Sequence, residues 1–172
     1  MVETTLSFLL KDGETVQVNK DVMLKSNTVK GMVDDGTAVS DEAIPLPEIN
    51  KATFDKVIEF CKYIHAGNAE PDIERPLRSN DLADHTTEWY TKFVEVERDM
   101  VEDILLAANF LDIKPLLELC CAKIATYIKG KSIQEVRQFY NIENDFTPEE
   151  EAEPFDESKF IAQDDEAETS KA

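Results

Sequence analysis

Glycine is scarce in this sequence, five residues in all, and no cluster of them forms a loop able to cradle phosphate. Cysteine is scarcer. An odd count of three, with Cys120 and Cys121 adjacent, makes a poor disulfide framework and fits a reducing compartment. The two histidines, His65 and His85, stand near loops with no cysteine or carboxylate at metal-ligand spacing, so both read as surface residues. Neither Cys-x-x-Cys nor His-Glu-x-x-His occurs. No apolar run approaches the roughly 18 residues of a membrane span, and no charged-then-apolar start suggests a secretory signal. The expected compartments are therefore cytoplasm and nucleus. Positive charge is short as well: 18 Lys and Arg face 37 Asp and Glu, a net of −19. A polyanion is repelled by nucleic acid and by anionic membrane, which excludes both as direct partners. Cys61, Cys120 and Cys121 lie on apolar stripes rather than in the electropositive setting that a nucleophilic thiol needs. No carboxylate pair is marked for acid–base work. The expectation is a protein that is not an enzyme and has no cofactor and no metal.

What is present is apolar surface. A hydrophobic fraction of 42% in 172 residues supports one domain core with extensions. Thr5–Leu10 alternates, Asp12-Gly13 supplies a two-residue turn, and Thr15–Val18 alternates again, which predicts a hairpin. A short helix is expected at 21–25. Ser26 caps a second, ending before Asp34-Asp35-Gly36. Ala43–Glu48 holds Pro45 and Pro47, so it reads as an edge strand. Asn50 caps a helix to about Ile64, with Phe54, Val57, Ile58 and Cys61 on one stripe. This order predicts a small mixed sheet with helices packed on it, an α/β (α+β) fold. Residues 67–86 read as an acidic, surface-lying loop or disordered insertion.

Order resumes with a helix around Trp89, itself read as an anchor. Asp99 with Glu102 suits a capping box, and Val101, Ile104, Leu105 and Ala108 then form one face. Pro115 fits the first turn of the next helix. There Leu117, Cys120, Cys121, Ile124 and Ile128 make a stripe that Leu116, Leu119 and Tyr127 widen. More than half of its girth is apolar, so it is central in a core or covered by a partner. Ser132 and Glu135 form another capping box, opening a helix that carries Val136, Phe139 and Tyr140. Thr147-Pro148-Glu149-Glu150 is a third such start. From Glu143 onward twelve acidic residues face two lysines, a net of −10, and the segment from 153 reads as a disordered acidic tail.

The segments Leu105-Leu106-Ala107-Ala108-Asn109-Phe110-Leu111-Asp112-Ile113-Lys114, 128–137 and Asn144-Asp145-Phe146-Thr147-Pro148-Glu149-Glu150-Glu151 resemble the Skp family. So do the Asp12-Gly13 hairpin, Ser26-Asn27-Thr28-Val29-Lys30 and Ile44-Pro45-Leu46-Pro47-Glu48-Ile49. These are the adaptor subunits of Skp–cullin–F-box (SCF) ubiquitin ligases. The resemblance covers about residues 3–151. It implies a BTB/POZ-type domain made of 1–66 and 87–130, interrupted by the variable loop 67–86, with a helical extension at 131–152 and a tail at 153–172.

The implied partners are a cullin, bound through Asn109 and Phe110, and F-box proteins. The latter would be bound through Leu116, Leu117, Cys120 and Ile124 and then Val136, Phe139, Ile142 and Phe146. Many relatives have tyrosine where Phe110 stands, so a hydroxyl is missing here. Pro148 matches a proline that is hydroxylated and glycosylated in some protist relatives; read from the residues alone, it starts a helix. After Glu151 the family's Arg-x-Glu-Asn-x-Trp clasp is replaced by Ala152-Glu153-Pro154-Phe155-Asp156-Glu157-Ser158-Lys159-Phe160. Either Phe155 and Phe160 stand in for the lost anchor, or F-box binding is weak or selective. The expected role is a non-catalytic SCF adaptor in ubiquitin-dependent degradation. The rival is a paralogue with a structural role outside ubiquitin ligases, binding an F-box-like protein or self-associating without cullin. Exposed apolar surface also predicts a homodimer when the chain is alone.

Overall fold

The hairpin forms where the alternating residues place it. The computed structural model describes residues 4–36, 43–145 and 147. Strand β1 (Thr5–Leu10) pairs antiparallel with β2 (Thr15–Asn19), Leu6 opposite Val18 and Phe8 opposite Val16. Gly13 takes the positive φ of the turn at +81°. The short β3 (Ile44–Leu46) runs parallel to β1 on its other side, giving the order β2-β1-β3. Pro45 is thus on an edge strand and exposed, where its missing N–H costs no ladder bond. Leu6, Phe8 and Leu10 of β1 turn to the core, and the Phe8 ring meets Phe54 at 5.2 Å.

Helices α1 (Lys20–Met23) and α2 (Asn27–Asp34) follow, each with a side-chain cap: Asn19 accepts from Asp21 N–H and Ser26 from Val29 N–H. Asn50 caps α3 (Lys51–His65) by accepting the Thr53 N–H at 2.9 Å. Asp12 ties the hairpin turn to this helix start, its carboxylate accepting the Lys51 N–H at 2.9 Å. That bond, ahead of other causes, holds the Asp12 carboxyl below its ordinary 3.8.

The acidic stretch 67–86 lies largely at the surface, as its composition suggests, and is pinned at a few points. It contains a 3-10 turn at Leu82–Asp84 that touches α4 (Glu88–Phe93) and α6 (Lys114–Ile128). Leu82 and His85 are buried, and Ile73 and Leu77 pack on the core. A few apolar residues at irregular spacing suffice to pin the segment without any periodicity. Trp89 is an anchor: it stacks on Tyr63 at 3.6 Å and on Phe93 at 5.2 Å.

Helix α5 (Arg98–Phe110) begins two residues before the expected Asp99 cap would start it. Glu97 holds the cap position without a side-chain bond, while Asp99 lies in the first turn, favoured there by the helix dipole and paired with Arg98 at 3.1 Å. Pro115 sits in the first turn of α6, and the two helices pack together after the tight turn at Leu111–Ile113. Helix α7 (Ile133–Tyr140) belongs to a second unit. The chain divides into Met1–Gly130 and Lys131–Ala172, the break falling after Gly130 with its φ of +76°.

Candidate protein-interaction surfaces

Three neighbouring side chains, Ser79, Asp84 and His85, resemble a hydrolytic trio in composition only. The Ser79 hydroxyl donates to the Asp84 carboxylate at 2.6 Å, and the His85 Nε2 accepts the backbone N–H of Ser79 at 3.1 Å. The Ser79 hydroxyl also stands 3.4 Å from His85 Nε2, but the carboxylate binds the serine instead of orienting the imidazole, so the three do not form a Ser-His-Asp relay. His85 is buried, which corrects its expected place at the surface; the partner it needs is supplied by backbone, not by a second titratable group. The thiols of Cys61 and Cys120 are buried and pushed up by desolvation to about 12, which keeps them protonated. Cys121 is exposed. Among the described residues no group of three or more His, Cys, Asp or Glu is arranged to hold a metal ion. None of the helices there is long and apolar enough to cross a membrane.

The first surface is the end of α5. Leu111 and Ile113 are buried, Asp112 takes a φ of +48°, and Ile113 N–H reaches back to the Ala108 carbonyl at 2.9 Å. This tight reversal leaves Asn109 and Phe110 outside. Leu106, one helical turn before Phe110, is 64% exposed and Phe110 is 44% exposed, so the two form one apolar strip. Leu106 is absent from the sequence-derived set. Its signal is there to be read, since it falls off the inward stripe of Val101, Ile104, Leu105 and Ala108 and yet is apolar.

The start of α2 clamps this turn. Thr28 Oγ1 donates to the Phe110 carbonyl at 3.0 Å, Ser26 Oγ to the Leu111 carbonyl, and Asn27 Nδ2 to the Asp112 carboxylate at 3.0 Å. Ser26 is fully buried and its hydroxyl also accepts the Val29 N–H at 3.1 Å, so one side chain both caps α2 and fixes the turn. The pairing joins residues more than 80 apart in the chain.

The second surface is one flank of α6. Leu116 and Cys120 are fully buried with Leu119, which corrects their expected place at a partner surface: they complete the core of the first unit. Helical geometry explains the division. Positions 116, 119 and 120 turn inward together, while 117, 121, 124 and 128 fall on the adjoining flank. On that flank Leu117 and Ile124 are half-buried and Cys121 and Ile128 exposed. Leu117, Cys121, Ala122 and Ala125, facing Ile73 and Leu77, line an apolar groove of about 450 Å³. Arg75 and Glu118 pair across 3.0 Å at its edge.

The third surface is α7, taken by itself. The Ser132 box is complete: Ser132 N–H donates to Glu135 at 2.7 Å and Glu135 N–H to the Ser132 hydroxyl at 3.3 Å. The backbone bond from Ser132 is the main reason the Glu135 carboxyl lies below its usual range. Asn141 closes the helix in the left-handed region at φ +52°, and Ile142 N–H caps the Arg137 carbonyl at 2.9 Å. Lys131 Nζ stands 4.3 Å from the Phe139 ring centre, which meets Tyr140 edge-on. No residue of α7 is buried. Val136 and Phe139 are half-buried, while Ile133 and Ile142 are 69% and 55% exposed. Phe146, Pro148 and the segment with Pro154, Phe155 and Phe160 lie outside the described residues.

Comparison with known proteins supplies the frame for these surfaces. Residues 6–66 match the model of the Skp1 family tetramerisation domain, and 114–160 that of the Skp1 family dimerisation domain. The S-phase kinase-associated protein 1 homolog of Tetrahymena thermophila is 40% identical over 158 residues, covering 91% of this chain and 93% of that protein. The E3 ubiquitin ligase complex SCF subunit sconC of Neosartorya fischeri is 43% identical over 148 residues, 86% of this chain and 92% of that one. SKP1-like protein 4 of Arabidopsis thaliana is 39% identical, with 93% and 98% coverage. With its two domain models in order and relatives matched nearly end to end, this chain belongs to the Skp1 family.

Proposed function

We infer that this chain is a non-catalytic adaptor that holds an F-box substrate receptor against a cullin scaffold in an SCF ubiquitin ligase. The observation that carries the reading is the presence of two kinds of uncovered apolar surface in one small acidic chain. One is the Leu106–Phe110 strip on the clamped end of α5. The other occurs on each unit by itself, on the Leu117–Ile124 flank of α6 and on the exposed side chains of α7. The first suits a cullin, with Asn109 and Phe110 at its centre. The second suits an F-box, with Leu117, Ile124, Val136, Phe139 and Ile142 as contacts and Phe146 continuing the series. Nothing in such a module performs chemistry. Its contribution to ubiquitin transfer is to keep substrate and charged enzyme close together.

Co-purification tests this. The chain should retain an F-box fragment and a cullin N-terminal domain, separately and together. Phe110→Glu should abolish cullin retention and spare the F-box, because a charge buried at a contact without a partner is strongly unfavourable. Failure to retain either protein ends the adaptor reading. An F-box retained without any affinity for cullin moves the chain to a structural role outside ubiquitin ligases.

A further inference from the structure

The carbonyls that close α5 draw their partners from far away in the chain. A helix leaves its last four C=O groups and its first four N–H groups without partners of its own. At the end of α5 the turn itself answers three of those carbonyls. Leu111 N–H donates to Ala107 at 2.9 Å, Ile113 N–H to Ala108 at 2.9 Å and Asp112 N–H to Asn109 at 3.2 Å. The next three carbonyls, of Phe110, Leu111 and Asp112, are met by the first residues of α2. Thr28 Oγ1 donates to Phe110 at 3.0 Å, Thr28 N–H to Leu111 at 3.4 Å and Asn27 N–H to Asp112 at 3.3 Å. These two N–H groups belong to the first turn of α2, which cannot use them, so each helix end supplies what the other lacks. The positive end of one helix dipole also meets the negative end of the other.

The joint bears on Phe110 in particular. Its ring is 44% exposed, so burial in the core does not fix its direction. The backbone at 110 does, and that backbone is held through its carbonyl by one hydroxyl. We propose that Thr28 is a positioning residue for cullin docking: it holds the end of α5 in the arrangement that presents Asn109 and Phe110. It acts through the Phe110 carbonyl and not as a contact. The proposal rests on the reading of that face as the cullin site. A surface held in its bound arrangement loses less freedom on docking, and the fraction of chains so arranged scales the apparent affinity.

The test measures affinity of the full chain for a cullin N-terminal domain and for an F-box fragment, with amide hydrogen exchange on the free chain. Thr28→Val keeps the side-chain shape and removes the hydroxyl; Thr28→Ser keeps the hydroxyl. Thr28→Val should bind cullin about two- to tenfold more weakly, a loss bounded by the worth of one hydrogen bond. Its F-box affinity should stay within about twofold, because the α6 flank shares no partner with Thr28. Exchange should quicken at Leu111, Asp112 and Ile113, whose N–H groups close the turn, and stay unchanged in α3. Thr28→Ser should restore both cullin affinity and slow exchange. A merely structural threonine would weaken both partners together or neither. Unchanged cullin affinity or unchanged exchange in Thr28→Val, an equal loss of F-box affinity, or no rescue by Thr28→Ser overturns the positioning proposal and leaves the adaptor reading standing. No cullin binding by the unaltered chain overturns both.

Discussion

Helices α5 and α7 both carry apolar residues at helical spacing, yet they use them in opposite ways. In α5 the inward stripe of Val101, Ile104, Ala107 and Ala108 is buried to within 2% of completeness, and the few apolar residues left outside sit at its clamped end. In α7 nothing is buried, and local devices are prominent: a capping box, a left-handed C-cap and a cation over an aromatic ring. An isolated helix of eight residues is marginal in water even with good caps. The difference teaches that the first unit is specified by its own core, whereas α7 takes its definition from its ends.

The largest expected effect breaks this contrast if it fails. Leu116→Ala should cost about 2–5 kcal/mol of unfolding free energy, since it opens a cavity in a fully buried site. Ile142→Ala, at an exposed site, should change unfolding by no more than about 0.5 kcal/mol. Urea titrations of the two variants decide it; equal costs would show that the second unit shares the core. A smaller effect is expected at Ser132. Removing its hydroxyl in Ser132→Ala should destabilise α7 by about 1 kcal/mol. Hydrogen exchange should quicken at the α7 amides and stay unchanged in α5 and α6, and exchange that quickens throughout would argue that the units fold as one.

The smallest effect sharpens the description of the first unit. The folded Asp12 carboxyl lies below 3.8, held there first by the Lys51 N–H. The unfolded chain therefore binds the proton more readily. Asp12 contributes stability that is fully present above pH 3.8 and is lost as pH falls through the depressed folded value. Asp12→Asn should flatten the acid limb of a stability–pH curve in that window, and an unchanged limb would place the acid sensitivity elsewhere.

The legible parts of the sequence are those governed by local chemistry. The turn at Asp12-Gly13, the caps at Asn50, Ser26 and Ser132 and the helix start at Pro115 are each made within four residues, so the residue types alone foretell the hairpin, three caps and a helix start. Glu97 and Asp99 show the limit: both can serve an acidic helix start, and packing of the helix chooses where it begins. The burial of His85 and Leu82 depends on chain reversal over the acidic stretch, which no period announces. The α6 stripe is visible in full, but periodicity counts apolar positions without saying which flank the core occupies. The partner-facing place of Leu116 and Cys120 comes from the resemblance, and the fold turns both inward. Asn109 and Phe110 are marked by resemblance alone; their exposure depends on Ser26 and Thr28, far away in the chain.

The pair Cys120 and Cys121 has a practical corollary. Of the three thiols in the chain, two are buried and resist ionisation, while the third stands beside Leu117 in the apolar groove of α6. A maleimide dye added to the unaltered chain should attach at this one position. The molecule thus brings its own reporter, and fluorescence from Cys121 would register an arriving partner without any engineered label.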